Sequence, residues 1–310
     1  MIVTVTPNPS VDRTVFIDSL PRGAILRSTQ SWSEPSGKGV NVALALAAHG
    51  YQAAAILPIG GPAGAHLAEM LQQFRVDYRA VHIAGDVRVN ISLVEPDGTV
   101  TKINETGPAL TSREIDMLLT TAMGATRPGS WLAGCGSLPA GADDDFYARL
   151  VTNVRSSGAR TAVDTSGPSL TVAVAAKPDL VKPNSDELAE AVGGTLTTLG
   201  DVAEAAQILR ERGAGAVLAS LGPDGALLVD ADGALHGKAP VDNVVSTVGA
   251  GDALLSGFLA GGGRGSDALA LGLRWAAAAV QHHGTLFTAD NHEAPVTISE
   301  RLPGRQPLTA

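Results

Sequence analysis

One cysteine, Cys135, stands in 310 residues. A single thiol excludes any intrachain disulfide, so stability must come from packing, and a reducing, cytoplasmic setting is expected. Aromatic residues are scarce at 4%, which leaves Val, Leu, Ile and Ala to fill the core. The apolar share is nonetheless 45%, which excludes a disordered chain. Positive charge is also in short supply: 22 Lys and Arg face 31 Asp and Glu, a formal net charge of −9. Such a chain is not built to bind nucleic acid or an anionic membrane, and any anionic ligand would need a local cluster of positive groups. No uncharged apolar run is long enough to span a bilayer. The chain opens on an apolar strand pattern at residues 2–6 with no basic stretch before it, so a signal peptide is not expected.

What is present is alternation. Short apolar runs predict strands over 2–6, 53–58, 130–133, 161–164, 180–182 and 216–220. Helical periodicity marks 39–49, 63–74, 112–124, 144–156, 185–192, 202–212, 252–261 and 267–281. Thr111 with Glu114 has the spacing of a capping box. The order predicts an α/β fold, a mostly parallel sheet flanked by helices on both faces. Two stretches interrupt it. Residues 14–18 and 26–32 look like strands with no helix between them, and 88–95 and 99–104 flank the hairpin signal Pro96-Asp97-Gly98. Arg88, Asn90 and Ser92 alternate with Val89, Ile91 and Leu93, so one face is polar and the other apolar. These pieces predict a small β-sheet lid, formed by about 13–34 and 88–104, on a main domain of residues 1–290. Residues 291–310 are expected to be a loosely ordered tail.

The most informative segment runs from Ser246 to Asp252 and straight into a helical pattern. Gly249, Ala250 and Gly251 bring backbone N–H groups to a helix N-terminus, where the helix dipole favours an anion. Asp252 stands at the mouth of that site. A carboxylate there either caps the helix or accepts a proton from an attacking hydroxyl. The stretch Ser36-Gly37-Lys38-Gly39-Val40-Asn41 opens another helix; it is either a plain glycine turn or a site offering charge from Lys38 and hydrogen bonds from Asn41. Asn184 and Glu187 have capping-box spacing and equally suit a metal role. Asp12 follows the first strand and is either a turn residue or a ligand group at a strand end. Neither a Walker A loop nor a dinucleotide fingerprint is present.

Together these residues resemble the ribokinase-like (PfkB) carbohydrate kinases. Gly249-Ala250-Gly251-Asp252 is similar to that family's C-terminal signature, and Gly37-Lys38-Gly39 with Asn41 to its N-terminal one. The branch containing phosphofructokinases and tagatose-6-phosphate kinases is most similar, through Thr6-Pro7-Asn8-Pro9-Ser10-Val11-Asp12-Arg13-Thr14, residues 101–108, Cys135-Gly136-Ser137-Leu138-Pro139, Asp164-Thr165-Ser166-Gly167, Lys182-Pro183-Asn184 and residues 220–226. The resemblance implies a ribokinase-like fold, ATP and Mg²⁺ as cofactors, and phosphorylation of a sugar phosphate. Fructose 1-phosphate is implied ahead of tagatose 6-phosphate or fructose 6-phosphate. It implies Asp252 as base with the Gly249–Gly251 amides as anion hole. Asp12, Gly37, Asn41 and Ser137 would hold the sugar, Lys38 and Arg88 its phosphate. Asn90, Lys102 and Asn104 lie on the same polar lid face and join the substrate candidates. Lys182, Asn184, Ser220, Gly222, Gly225 and Thr247 would lie on the nucleotide side, with Asn184 and Glu187 meeting Mg²⁺ through water. A homodimer joined through the lids is implied as well. Two positions depart from the family pattern: Ser36 replaces a usual glycine, and His282-His283-Gly284-Thr285 replaces a usual Pro-Gly-Thr. A sugar-phosphate sensor on a kinase fold is the non-enzymatic alternative; the intact Asp252 and glycine turn argue against it.

Overall fold

The computed structural model describes residues 1–241, 243–282, 284, 295–302 and 304–309. The chain begins with β1 (Ile2–Val5), β2 (Ser10–Phe16), β3 (Gln30–Ser36), α1 (Lys38–Ala48), β4 (Ala53–Ile59), α2 (Gly61–Gln73) and β5 (Asp77–His82). It continues through β6 (Arg88–Val94), β7 (Val100–Ile103), α3 (Ser112–Ala125), β8 (Trp131–Cys135), α4 (Phe146–Arg155), β9 (Arg160–Asp164), α5 (Gly167–Ala175) and β10 (Leu180–Val181). Then come α6 (Ser185–Val192), α7 (Leu199–Glu211), β11 (Ala216–Ser220), a 3₁₀ turn (Gly222–Asp224), β12 (Ala226–Asp230), β13 (Gly233–Lys238), α8 (Ala250–Ala260), α9 (Gly265–Ala279) and β14 (Thr297–Ser299).

Ten strands form one sheet in the order β14-β13-β12-β11-β10-β9-β8-β1-β4-β5. From β11 to β5 all pairs are parallel, and β12 to β14 extend the sheet antiparallel. The parallel strands inside the sheet are buried on both faces, so they read as apolar runs such as Trp131–Cys135, whereas the edge strand β5 is largely exposed. One face packs against α3 to α7 through Leu118, Leu150, Val174, Leu188 and Val202. The other packs against α8, α9 and part of α1 through Leu255, Phe258, Leu269 and Leu46. The chain leaves β1 towards β4 and β5, then returns to build β8 to β11 on the opposite side. Such a reversal opens a crevice at the carboxyl ends of the strands, where open α/β sheets bind ligands.

A separate four-stranded sheet, β3-β2-β6-β7, stands beside that crevice. Its hairpin closes as expected, with Gly98 N donating to Glu95 O at 3.0 Å. β2 and β3 reach further towards the crevice than the predicted 14–18 and 26–32, because Ser10, Asp12, Glu34 and Ser36 are polar strand residues rather than loop. The expectation of a loosely ordered tail is corrected for its described part. Thr297–Ser299 pairs with β13, Leu302 and Leu308 pack on the core, and Pro307 bridges Thr198; the apolar side chains have a groove to fill. Residues 291–294 lie outside the described residues. Both predicted capping boxes form, Thr111 with Glu114 and Asn184 with Glu187. Among the described residues no helix is long and apolar enough to cross a membrane.

Candidate active site

Each wall of the crevice comes from a different strand end. After β1, the Pro7-Asn8-Pro9 turn leads into β2, where Asp12 Oδ1 accepts from Ser10 Oγ at 2.7 Å and Asn90 Nδ2 at 2.8 Å. Arg88, at the start of β6, donates through Nη2 to Asn8 O at 3.0 Å and through Nη1 to Glu105 O at 3.1 Å. Its Nε is buried with no protein partner. Asn8 Nδ2 donates to Thr106 O at 3.1 Å and to Ser137 Oγ at 3.4 Å. Asn8 thereby joins three elements of the crevice, although its side chain is not among the residues that the sequence singled out.

Gly37 caps α1 at φ 118°, and a Cβ there would stand 2.8 Å from Thr6 Cγ2 and 3.1 Å from Pro9 Cα. Only glycine meets both demands. Ser36, where the family has glycine, lies in regular antiparallel register with Ser10 and has no positive φ, so its Cβ is accommodated. α1 then presents Lys38 and Asn41. Asn41 is buried, and its Nδ2 donates to Asp252 Oδ2 at 2.7 Å.

Lys38 Nζ lies 2.7 Å from Asp164 Oδ1 and 3.5 Å from Glu187 Oε1. Lys182 Nζ, from the segment after β10, approaches the other oxygen of Asp164 at 3.1 Å. Asp164, at the end of β9, is fully buried. Burial alone would raise its pKa, but Lys182 and Lys38 outweigh it and hold the carboxyl below its usual range. Burial likewise works against the charge on Lys38, and Asp164 with Glu187 more than restores it, so the ammonium is held above its ordinary pKa. Asp164 is thus the hub of the site. The sequence shows it only as the first residue of the family-like run Asp164-Thr165-Ser166-Gly167, with no role attached, because its partners Lys38 and Lys182 are remote in the chain.

Gly249 caps α8 in a left-handed conformation at φ 80°, and Asp252 is the third residue of the helix. The first N–H groups of the helix have no intrahelical acceptor. A methyl at Gly251 would lie 3.4 Å from Lys182 Nζ, so the ammonium and the helix N-terminus face one space. Asp252 is buried and its pKa is raised to about 6, first by burial and then by the charge of Asp164; Asn41 and the two lysines only partly offset this. Tyr147 Oη and Thr165 Oγ1 both donate to Gly136 O, at 2.7 and 3.0 Å, which fixes the turn that carries Ser137. On the far side, Asn184 forms a bridge with Ser220, and Ser220 N donates to Pro183 O at 3.0 Å. Gly222 opens the 3₁₀ turn that follows and Gly225 caps it, and Thr247 O accepts from Ala250 N at 3.4 Å.

The structure therefore brings Asp12, Asn90, Arg88 and Ser137 to one wall. Lys38, Asn41, Asp252 and Lys182 gather at the centre, with Asn184, Glu187 and Ser220 beyond. Lys102 and Asn104 are exposed, on and just after the edge strand β7, and Glu105, next to Asn104, donates its N–H to Asn90 Oδ1 at 3.2 Å. Of the adjacent histidines, His282 is described and His283 lies outside the described residues.

A mostly parallel sheet, two ammonium groups facing a helix N-terminus and a carboxylate with a raised pKa are the equipment of a phosphate-handling α/β enzyme. The model of the pfkB family carbohydrate kinases matches residues 7–292, and the chain belongs to that family. It is a sugar kinase, with ATP as its phosphate donor. The 1-phosphofructokinase of Rhodobacter capsulatus is 39% identical over 83% of this chain and 82% of that protein. The 1-phosphofructokinase of Haloferax volcanii is 38% identical over 97% of this chain and 100% of that one. The crystal structure of phosphofructokinase-2 from Escherichia coli in complex with substrates and products superposes with a TM-score of 0.88 at 32% identity, covering 94% of this chain and 96% of that one.

Proposed function

We propose that this kinase transfers the terminal phosphoryl group of ATP to fructose 1-phosphate, giving fructose 1,6-bisphosphate. The observation that carries the proposal is Asp252, buried at the N-terminus of α8 and held near the pKa of a working base, beside the Asp164–lysine hub. The similarity to 1-phosphofructokinases supports the choice of sugar.

Two polyanions must meet, so positive charge governs the design. Lys38, Lys182 and the helix N-terminus supply it, while Asp164 holds the two ammonium groups in place. Asp164 and Glu187 also cancel much of the lysine charge. That deficit suits Mg²⁺, which takes oxygen ligands and keeps several of its waters. Glu187 Oε1 and Asn184 fit an outer role through water, since Glu187 Oε2 and Asn184 Oδ1 are occupied by their reciprocal cap. When bound there, the ion would draw charge from the phosphate oxygens. Asp12, Asn90, Gly37 and Ser137 hold the sugar, and Arg88 and Lys38 its existing phosphate. Asn41 occupies Asp252 Oδ2 and leaves Oδ1 to take the hydroxyl proton as the new O–P bond forms. Gly249, Ala250 and Gly251 stabilise the charge that develops on the transferred group. Ser220, Gly222, Gly225 and Thr247 border the nucleotide. The four-stranded sheet acts as a lid that excludes water. Its outer face, with Ile91 paired to a half-exposed Ile103, joins that of a second copy in a homodimer.

The test is kcat/KM for fructose 1-phosphate, fructose 6-phosphate and tagatose 6-phosphate at saturating Mg-ATP. The anomeric hydroxyl breaks the near symmetry of the furanose, and one unpaired buried polar group costs roughly 1–3 kcal/mol, tenfold or more in rate. Fructose 1-phosphate should lead by at least about that factor. A clear lead for either 6-phosphate overturns the choice of sugar and leaves the kinase in place.

A further inference from the structure

Asp224 lies outside the chemistry described above, yet it is a buried carboxylate with a full set of partners. It closes the 3₁₀ turn Gly222–Asp224 and is 3% exposed. Its own element supplies none of the groups its side chain binds. Thr309 N donates to Oδ2 at 2.5 Å, Thr309 Oγ1 donates to Oδ1 at 3.0 Å, and Lys238 Nζ lies 3.3 Å from Oδ1. His236 Nε2 meets the Asp224 carbonyl at 2.7 Å. Two of these contacts come from a residue 85 positions further along the chain.

The segment that delivers Thr309 is itself tied down. Gly200 N donates to Gly304 O, Leu199 N to Gln306 O, and Leu308 N to Thr197 O, at 3.0, 3.0 and 2.8 Å. The segment thus lies along the start of α7 and ends on the turn. The turn hangs from β11, whose last residue, Ser220, is bridged to Asn184. In the sheet, β11 is four strands from β1, so the turn sits far from Asp12 and Arg88.

We infer that Thr309 and Asp224 form a clasp through which residues 304–309 position the Gly222–Gly225 turn for the nucleotide, making both positioning residues for ATP binding. The inference rests on the reading of that turn as the nucleotide side. A charge-assisted bond to a buried carboxylate is among the stronger hydrogen bonds in a protein, and losing it leaves the carboxylate short of donors. The turn then samples other arrangements, and the nucleotide must select the competent one, so apparent affinity falls with its population. The sugar-phosphate wall, anchored by other strands, does not sense the change.

Thr309→Pro removes both donors at an exposed position, while Thr309→Ser keeps both. With Thr309→Pro, KM for ATP should rise about fivefold or more, the lower range of coupling between sites. KM for the sugar phosphate and kcat at saturating ATP should stay within about twofold, and Thr309→Ser should match the unsubstituted enzyme. Linkage adds a second readout: saturating ATP analogue should slow hydrogen exchange at the Leu308 and Thr309 amides. Ser220→Tyr, placed to crowd the same side, is the reference. If it raises KM for ATP and Thr309→Pro does not, the clasp is wrong and the nucleotide assignment stands. If neither raises it, the nucleotide assignment itself fails and the inference falls with it. Equal effects of Thr309→Pro on both substrates also overturn the clasp.

Discussion

Asp252 is useful at the pH where it burdens the fold. Its pKa is raised from the ordinary 3.8 to about 6, first by burial and then by Asp164. The folded chain therefore binds this proton more tightly than the unfolded chain does. Between those two values stability falls as pH rises, and it stays lower at neutral pH. Asp164 has the opposite sign: its depressed pKa contributes stability above the unfolded value, and that contribution is lost as pH falls through the folded one. Asp252→Asn should thus do two things at once. Measured kcat should fall by about 10²–10⁴, the usual worth of a general base. The thermal midpoint at pH 7.5 should rise, because the charge that burial and Asp164 disfavour is gone. For the unsubstituted enzyme, kcat/KM should drop below about pH 6 with a slope of one proton. Near-full kcat of the Asn variant in a chemistry-limited assay would remove Asp252 from the reaction.

At the scale of elements, the four-stranded sheet makes the sharpest demands. Arg88 opens β6 with two of its N–H groups bound to Asn8 O and Glu105 O, so it binds the sheet to the crevice floor. Arg88→Ala should raise KM for the sugar phosphate far more than KM for ATP; equal changes would make Arg88 purely structural. The outer face of the sheet is apolar on β6 and β7, and Val89 at its base already packs on the α1–α2 core. Ile91 and Ile103 do not share that cover. Sedimentation at micromolar concentration should find two chains per particle, and Ile91→Asp one; a monomer from the unsubstituted chain refutes the dimer. The hairpin was legible because alternation and Pro96-Asp97-Gly98 are local signals. The inner parallel strands were legible because they are mostly apolar. β5 is an edge strand whose alternation, Asp77 and Arg79 exposed beside Tyr78 and Ala80, spans only a few residues, and α5 is a β-branched, glycine-led stretch that becomes helical through packing. β12 and β13 follow β11 with no α-helix between them and so break the strand–helix alternation. The same limit applies to the site: glycine turns announce Gly37 and Gly249, whereas Asp164, Asn8 and Asp224 stand in family-like runs but take their individual roles from partners remote in sequence.

The whole molecule places β1 inside its largest sheet, third from one edge, between β4 and β8. Ile2 pairs on one side with Ala53 and on the other with Trp131. During synthesis the second edge of β1 must wait for about 130 further residues, on the order of 6–26 s at ordinary elongation rates. Through that interval an apolar strand offers an open hydrogen-bonding edge to any neighbouring chain. Nascent chains ended before β8 should therefore aggregate readily, which pelleting of ribosome-released fragments of 1–125 and 1–240 would reveal as a larger insoluble share for the shorter one. An arrangement that lets one crevice draw on both wings of the sheet thus makes the growing polypeptide a client for chaperones.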